Sequence, residues 1–205
     1  MIHQDTEIRF LNKEKGYGVV ATKLIPRGTI TWVQDPLDRE FSQEAEEGMN
    51  PAVKKLLHTY AFTNKHGHKV LCWDNGKYVN HSFNPSCFST AYDFEIAIRD
   101  IHPGEELTDD YGYLNLESPF YPIDEGFSRK IVFPDDILRY HEEWDQIIIN
   151  NAPAVLEVEQ PLLELIPAKT WRKFTNAVHN GFGMRSILEC HYQKSATAKN
   201  KTASK

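Results

Sequence analysis

The chain reads as mainly β with a helical C-terminal appendage, and three observations carry that reading. From Glu7 to about Tyr113, short β-rich runs alternate with Gly, Pro and Asn turn signals. From Asp135 onward the apolar residues recur at helical spacing. Between them lies a stretch with three prolines, Pro119, Pro122 and Pro134. The expected organisation is a β-rich domain at 1–114 with a helical insert at about 38–62, a linker at 115–134, a helical region at 135–192 and a disordered tail at 193–205. The tail expectation rests on composition, since Ser195 to Lys205 offers almost nothing to bury.

The elements follow in order. Val19-Val20-Ala21 and Thr29-Ile30-Thr31-Trp32-Val33 are β-rich and are separated by a Pro26-Arg27-Gly28 turn. The polar, acidic run at 38–48 reads as a surface excursion. Asn50-Pro51 has the form of a helix N-cap followed by proline in the first turn. Val53, Leu56, Leu57 and Tyr60 then make a helical apolar stripe. Lys69 to Trp73 is expected to be a strand, with an Asn-Gly hairpin signal at Asp74-Asn75-Gly76-Lys77. Lys77-Tyr78-Val79 is expected to run on as a strand into Asn80. Phe94, Ile96 and Ile98 alternate with Glu95, Ala97 and Arg99, the pattern of a half-buried strand. In the C-terminal part, Asp135 is placed to cap a helix carrying Ile137, Leu138, Tyr140, His141, Trp144, Ile147 and Ile148. Leu162 to Ile166 predicts a short helix, and Trp171, Phe174 and Val178 a third, closed by Asn180-Gly181.

Composition narrows the function. The formal net charge of −6 argues against a direct nucleic-acid binder and favours a basic partner. Three cysteines, with no Cys-x-x-Cys, suggest neither a disulfide framework nor a zinc ribbon and fit a reducing compartment. No signal peptide or membrane-spanning run is read from the sequence. An intracellular location is expected, cytoplasmic first and nuclear as the alternative; the oligomeric state is left open.

Three phrases draw attention as candidate chemistry. In Gly16-Tyr17-Gly18, two glycines would let backbone approach a ligand closely, although an ordinary tight turn has the same wording. In Asn80-His81-Ser82, the adjacent His and Ser point to opposite faces of an extended chain, so they do not form a nucleophile pair. Asn80 is suited either to bond a ligand or to cap the turn before Pro85. Gly104-Glu105-Glu106-Leu107-Thr108-Asp109-Asp110-Tyr111 ends in a tyrosine beside an acidic run that matches no EF-hand loop. His66-Gly67-His68 reads as a surface turn.

Taken together, in this order and spacing, these phrases resemble the SET domain, a family of S-adenosylmethionine-dependent protein-lysine methyltransferases. The resemblance covers residues 8–113, and Thr59-Tyr60-Ala61-Phe62 adds a fourth match. It implies a β-clip of several small sheets in which the Asn-His segment and the segment ending in Tyr111 form a pseudoknot. It implies that Lys15, Gly16, Tyr17, Gly18, Tyr60, Asn80, His81 and Tyr111 bind S-adenosylmethionine, His81 mainly through its backbone. Tyr111 would be the catalytic tyrosine, and Tyr60, Phe62, Asp109 and Tyr113 would line the substrate channel. The implied substrate is a lysine in a basic protein or peptide, histone-like tails being one such class. Self-methylation at Lys199, Lys201 or Lys205 is a minor variant of that reading.

Three departures from the family pattern matter. Phe83 stands where many members carry a zinc-linked cysteine, and the cysteine-rich downstream segment is missing, so no metal is expected. The helical region, with Tyr113 and Tyr121, is expected to close the channel instead. Cys87 is read as buried packing. Asp109 replaces the Phe or Tyr that influences how many methyl groups are added. Two alternatives remain at this stage: an inactive SET-like binding module, and a methyltransferase acting on histidine or another amine.

Overall fold

The computed structural model describes residues 1–193; the expected tail falls, but for residue 193, outside the described residues. Ten short strands make three small sheets. Strands β1 (Thr6–Asn12) and β2 (Gly16–Ala21) form an antiparallel hairpin, followed by β3 (Ile30–Val33) and β4 (Arg39–Phe41). Two helices come next, α1 (Gln43–Glu47) and α2 (Pro51–Tyr60), then β5 (Ala61–Thr63) and β6 (Lys69–Leu71). The remaining strands are β7 (Asn80–His81), β8 (Cys87–Ser89), β9 (Phe94–Ala97) and β10 (Glu106–Asp109). Helices α3 (Asp136–Asn151) and α4 (Ala168–Asn180) dominate the C-terminal part. The sheet orders are β1-β2-β10-β7, β3-β9-β8 and β4-β6-β5. None of these helices is long and apolar enough to cross a membrane.

One pairing positions the site. β10 runs antiparallel to β2 through Glu106–Val20 and Leu107–Val19, and parallel to β7 through Thr108–Asn80 and Asp109–His81. The Gly-x-Gly strand, the Asn-His segment and the strand leading to Tyr111 therefore lie side by side.

The C-terminal helices share a core with the sheets. Phe174 of α4 is fully buried and packs edge-on against Tyr92 and Phe94 at 5.3 and 5.1 Å between ring centroids. Trp144 of α3 meets Phe88 and Tyr113 in a second cluster with Ile137, Ile148 and Ile187. Gly28 shows how close the approach is. Its φ is +91°, and a Cβ there would lie 2.5 Å from the backbone of Ala154. Only glycine fits both the left-handed turn and the gap.

Several expectations hold in detail. Asn50 caps α2 by accepting from the Ala52 N–H at 2.9 Å, with Pro51 in the first turn. Gly181 closes α4 in the left-handed conformation. Cys87 is completely buried.

Others are corrected. The α2 stripe does not form core: Leu57 is buried, but Val53 and Leu56 are exposed, because α2 packs on the small outer sheet by one edge only. Asn75-Gly76 makes no hairpin. The Asp74 carboxylate accepts the Gly76 N–H at 2.9 Å and starts a 3-10 turn over Asn75–Tyr78, so Lys77 and Tyr78 are not strand. The excursion at 38–48 contains β4 and α1. Asp135 precedes α3 but makes no capping bond; its carboxylate instead accepts from Arg139, one turn on. Leu163–Leu165 is a single 3-10 turn. The half-buried expectation for β9 also fails, since all four residues are buried, Glu95 included. Phe94 and Ile96 face the C-terminal helices while Ala97 belongs to the opposite core, leaving β9 no solvent face.

Residues 115–134 hold no helix or long strand, yet they are anchored. Phe120 and Val132 pair by two backbone hydrogen bonds of 2.9 Å, and Val132 is fully buried. Arg129 reaches back to bind Asp110 and Asp136 and lies over the rings of Phe83, Tyr140 and Trp144. It ties this segment, α3 and the end of β10 together.

Candidate active site

The residues singled out from the sequence fall into two groups, one around Gly18 and one around a cavity. The first surrounds Gly18. The Asn80 side-chain amide donates to the Tyr17 carbonyl at 3.0 Å and to the Glu106 carboxylate at 2.8 Å. Lys15 pairs with the other Glu106 oxygen at 3.1 Å and lies 4.0 Å from Glu125. Glu125 accepts from the Ser82 hydroxyl at 2.9 Å and the Phe83 N–H at 3.0 Å. Gly16 begins β2 with φ at +76°, and the Tyr17 ring points outward against Phe10. A Cβ on Gly18 would meet Glu106 and Leu11 at 2.6 Å and Asn80 at 2.9 Å.

That crowding yields a prediction. Gly18→Ala pushes aside the Glu106 and Asn80 side chains, whose ends are free to shift, so the fold survives while the polar arrangement does not. We expect thermal stability within about 1 kcal/mol of wild type and, at the donor site that the family resemblance implies, S-adenosylmethionine affinity reduced about tenfold, equivalent to about 1.4 kcal/mol. Differential scanning fluorimetry and calorimetric titration check the two halves.

The second group lines a cavity of about 930 Å³. Tyr60, Phe62, Asp109, Tyr111 and Tyr113 all border it, as do Trp32 and Phe120. Tyr60 borders the cavity, its ring edge-on to Tyr78 at 5.4 Å. Phe62 meets Trp32 in the same way at 5.9 Å. Tyr113 is buried, and its hydroxyl accepts from the Ser89 N–H at 3.3 Å. Tyr121 is 70% exposed and does not line the cavity; Phe120, its neighbour, does.

Tyr111 joins the groups. Its hydroxyl donates to the Val79 carbonyl at 2.8 Å, and its backbone N–H donates to His81 Nδ1 at 3.2 Å. Burial, reinforced by the neighbouring Asp109 and Glu106 carboxyls, pushes the phenol well above its ordinary range, so it stays protonated. Asp110 fixes the short turn that presents Tyr111, since its carboxylate accepts the Gly112 N–H at 2.9 Å. Burial opposes ionisation of Asp110 and the Arg129 guanidinium counters it. With Arg129 N–H groups directed at both Asp110 and Asp136, we read both as carboxylates.

His81 is neutral. Burial, with Arg129 and Lys15 nearby, lowers it to about 3. Nδ1 accepts a hydrogen bond, so the proton sits on Nε2, which has no partner despite being buried. The ring is packed among Phe83, Tyr111 and Phe120. Because the folded value lies below the ordinary 6.5, the unfolded chain binds the extra proton. Stability contributed by His81 is complete above 6.5 and lost as pH falls toward 3. We expect nitrogen NMR to show a neutral ring, protonated on Nε2, at pH 5, where the chain is already less resistant to urea than at pH 7.

The groups around Gly18 suit a ligand with both cationic and anionic parts. Glu106 and Glu125 offer carboxylates to a sulfonium or ammonium, Lys15 a cation to a carboxylate, and His81 Nε2 an unused donor. The chemistry fits S-adenosylmethionine. Among the described residues no group of three or more His, Cys, Asp or Glu side chains is arranged to hold a metal ion. Sequence reasoning missed Glu95, Glu125, Phe120 and Arg129. Glu95 alone carried a signal, a charged residue inside a β-rich run.

Residues 16–112 match the family model of the SET domain. That segment is a SET domain, the unit of a methyltransferase family whose methyl donor is S-adenosylmethionine. Among solved structures, the chain is similar to a Plasmodium falciparum protein described as a candidate histone methyltransferase. The identity is 19% and the TM-score 0.39, over 54% of this chain and 95% of that one. A likeness at that level bears on neither reaction nor substrate. No curated protein matches the chain.

Proposed function

We propose that this protein transfers a methyl group from S-adenosylmethionine to a lysine side chain of a basic protein or peptide. The observation that carries the reading is Tyr111, which borders the aromatic cavity and is bonded to Val79 and His81, the residues on either side of Asn80. When bound, the donor supplies a methyl group made electrophilic by its sulfonium.

The chain's own residues do the rest. Asn80, Glu106, Lys15, Glu125 and the backbone at Gly18 hold and orient the donor. Tyr111 turns its proton toward Val79 and keeps its oxygen lone pairs for weak C–H contacts with the methyl group. Tyr60, Phe62, Trp32 and Phe120 form an apolar wall around the target amine. A free lysine has a pKa near 10.4, so presenting it neutral at pH 7 costs about 4–5 kcal/mol, and an apolar channel offsets part of that. Positioning and desolvation are the main devices.

The net charge of −6 favours a cationic substrate. Calorimetric titration with S-adenosylmethionine, followed by methyl-donor labelling of a panel of basic proteins, tests the reading. Binding plus labelled lysine is expected. Absence of binding would instead favour an inactive binding module, and labelled histidine a different acceptor.

A further inference from the structure

Beneath the cavity lie two carboxyl groups that the scheme above does not use. Glu95 comes from β9 and Asp109 from β10, they are 4% and 5% exposed, and both border the cavity that Tyr111 borders. The two side chains are close enough to share a hydrogen bond, which either makes only as the protonated acid. The Thr31 hydroxyl donates to Glu95 at 2.6 Å, and the Asp110 N–H donates to Asp109 at 3.1 Å.

The groups facing the pair are Thr31 from β3, Cys87 from β8, Asp110 and Tyr111. Cys87 is itself pushed well above its ordinary range by burial and by Glu95, so it brings no charge of its own. None of the leading influences on either carboxyl is a cationic side chain. In its singly protonated form the pair is a buried site with one net negative charge, bordering the cavity. Burial of this kind is costly unless a positive group arrives. Burial raises both carboxyls, and repulsion from Glu95 and Asp110 adds to the rise at Asp109, which makes the singly protonated pair a better proton acceptor than an ordinary carboxylate.

Building on the functional reading above, we propose that Glu95 and Asp109 act together as the proton acceptor for the substrate ammonium. The N–H bond of the ammonium breaks, its electron pair stays on nitrogen, and an O–H bond forms on the carboxyl pair. The pair becomes neutral and later returns the proton to solvent through the cavity. Glu95 and Asp109 thereby prepare the neutral amine, and Tyr111 positions it. A lysine or another protonated amine meets this requirement; arginine, which holds its proton, does not.

Two near-isosteric variants, Glu95→Gln and Asp109→Asn, test the proposal, each first checked for S-adenosylmethionine binding by calorimetry. Methylation of a basic peptide with a single lysine is followed from pH 6 to 9.5. At pH 7 both variants are expected to lose about 100-fold or more in rate, the usual scale of acid–base catalysis. The loss should shrink about tenfold per pH unit as the substrate amine sheds its own proton. Infrared difference spectroscopy supplies a readout besides activity. Wild type at neutral pH should show one protonated carboxyl that disappears in either variant. A second should appear on adding the lysine peptide, but not its norleucine analogue.

A loss equal at every pH, an unchanged rate, or no protonated carboxyl in wild type overturns the proposal while leaving the methyltransferase reading intact. A wild type that binds no S-adenosylmethionine, or methylates no lysine peptide, defeats the functional reading and this inference with it.

Discussion

Tyr111→Phe should lower the methylation rate at least 100-fold while leaving the fold and donor affinity almost unchanged. The variant removes one oxygen from a site where three aromatic rings already pack. Tyr111 packs with tilted rings at 5.4 Å from both His81 and Phe120, and a phenyl ring keeps those contacts. What disappears is the donation to the Val79 carbonyl and the oxygen facing the reacting groups. A lost hydrogen bond of this kind changes stability by about 1 kcal/mol. Loss of a positioned polar group at a reacting centre typically costs 10²–10³ in rate, about 3–4 kcal/mol in the barrier. Single-turnover labelling gives the rate, and calorimetry with S-adenosylmethionine gives the affinity. Unchanged labelling would remove Tyr111 from the role assigned to it.

The largest effect on stability is expected from Arg129→Ala, about 3–5 kcal/mol. Asp110 and Asp136 have side chains only 4% and 1% exposed, and Arg129 lies between them. Removing the guanidinium strands two buried negative charges and deletes the cation that covers Phe83, Tyr140 and Trp144. Arg129→Lys should recover little, because one ammonium cannot bridge two carboxylates and lie flat over aromatic rings. Activity should fall with stability, since Asp110 holds the turn carrying Tyr111. Urea unfolding followed by tryptophan fluorescence measures the cost. A change below about 1 kcal/mol would mean that the three-way contact is ornamental.

Much of the fold could be read directly from the chain, and the reasons are local. Asn50-Pro51 and Gly181 succeed because caps depend on a few neighbouring atoms. The α4 stripe succeeds because Phe174 and Ala177 are buried on one face of an otherwise polar helix. The phrases around Gly18, Asn80 and Tyr111 were readable as a set, since their strands are neighbours in one sheet.

Failures come where distant residues decide. Asn75-Gly76 carries a hairpin signal, but the strand before it pairs with β4 and β5, which no dipeptide foretells. Glu95 alternates with apolar residues as a solvent-facing side chain would, and only the packing on both faces of β9 reveals that it is buried. Arg129 sits in an aperiodic, proline-flanked stretch between Ser128 and Lys130; its partners are 19 residues earlier and 7 later.

The pairing of β7 with β10 has a consequence in time. Thr108 meets Asn80, and Asp109 meets His81, only after a segment of more than 25 residues has folded back and laid its own strands down in register. Parallel, long-range pairings close late because loop entropy is spent before the contacts form. The β1–β2 hairpin and the two long C-terminal helices rest on local contacts and can form early. During refolding from urea, circular dichroism should therefore recover before the chain regains affinity for S-adenosylmethionine. A mixed stopped-flow and ligand-trapping experiment would see the same chain pass through a stage with most of its secondary structure and no working site. The candidate site is then the last part of the molecule to form.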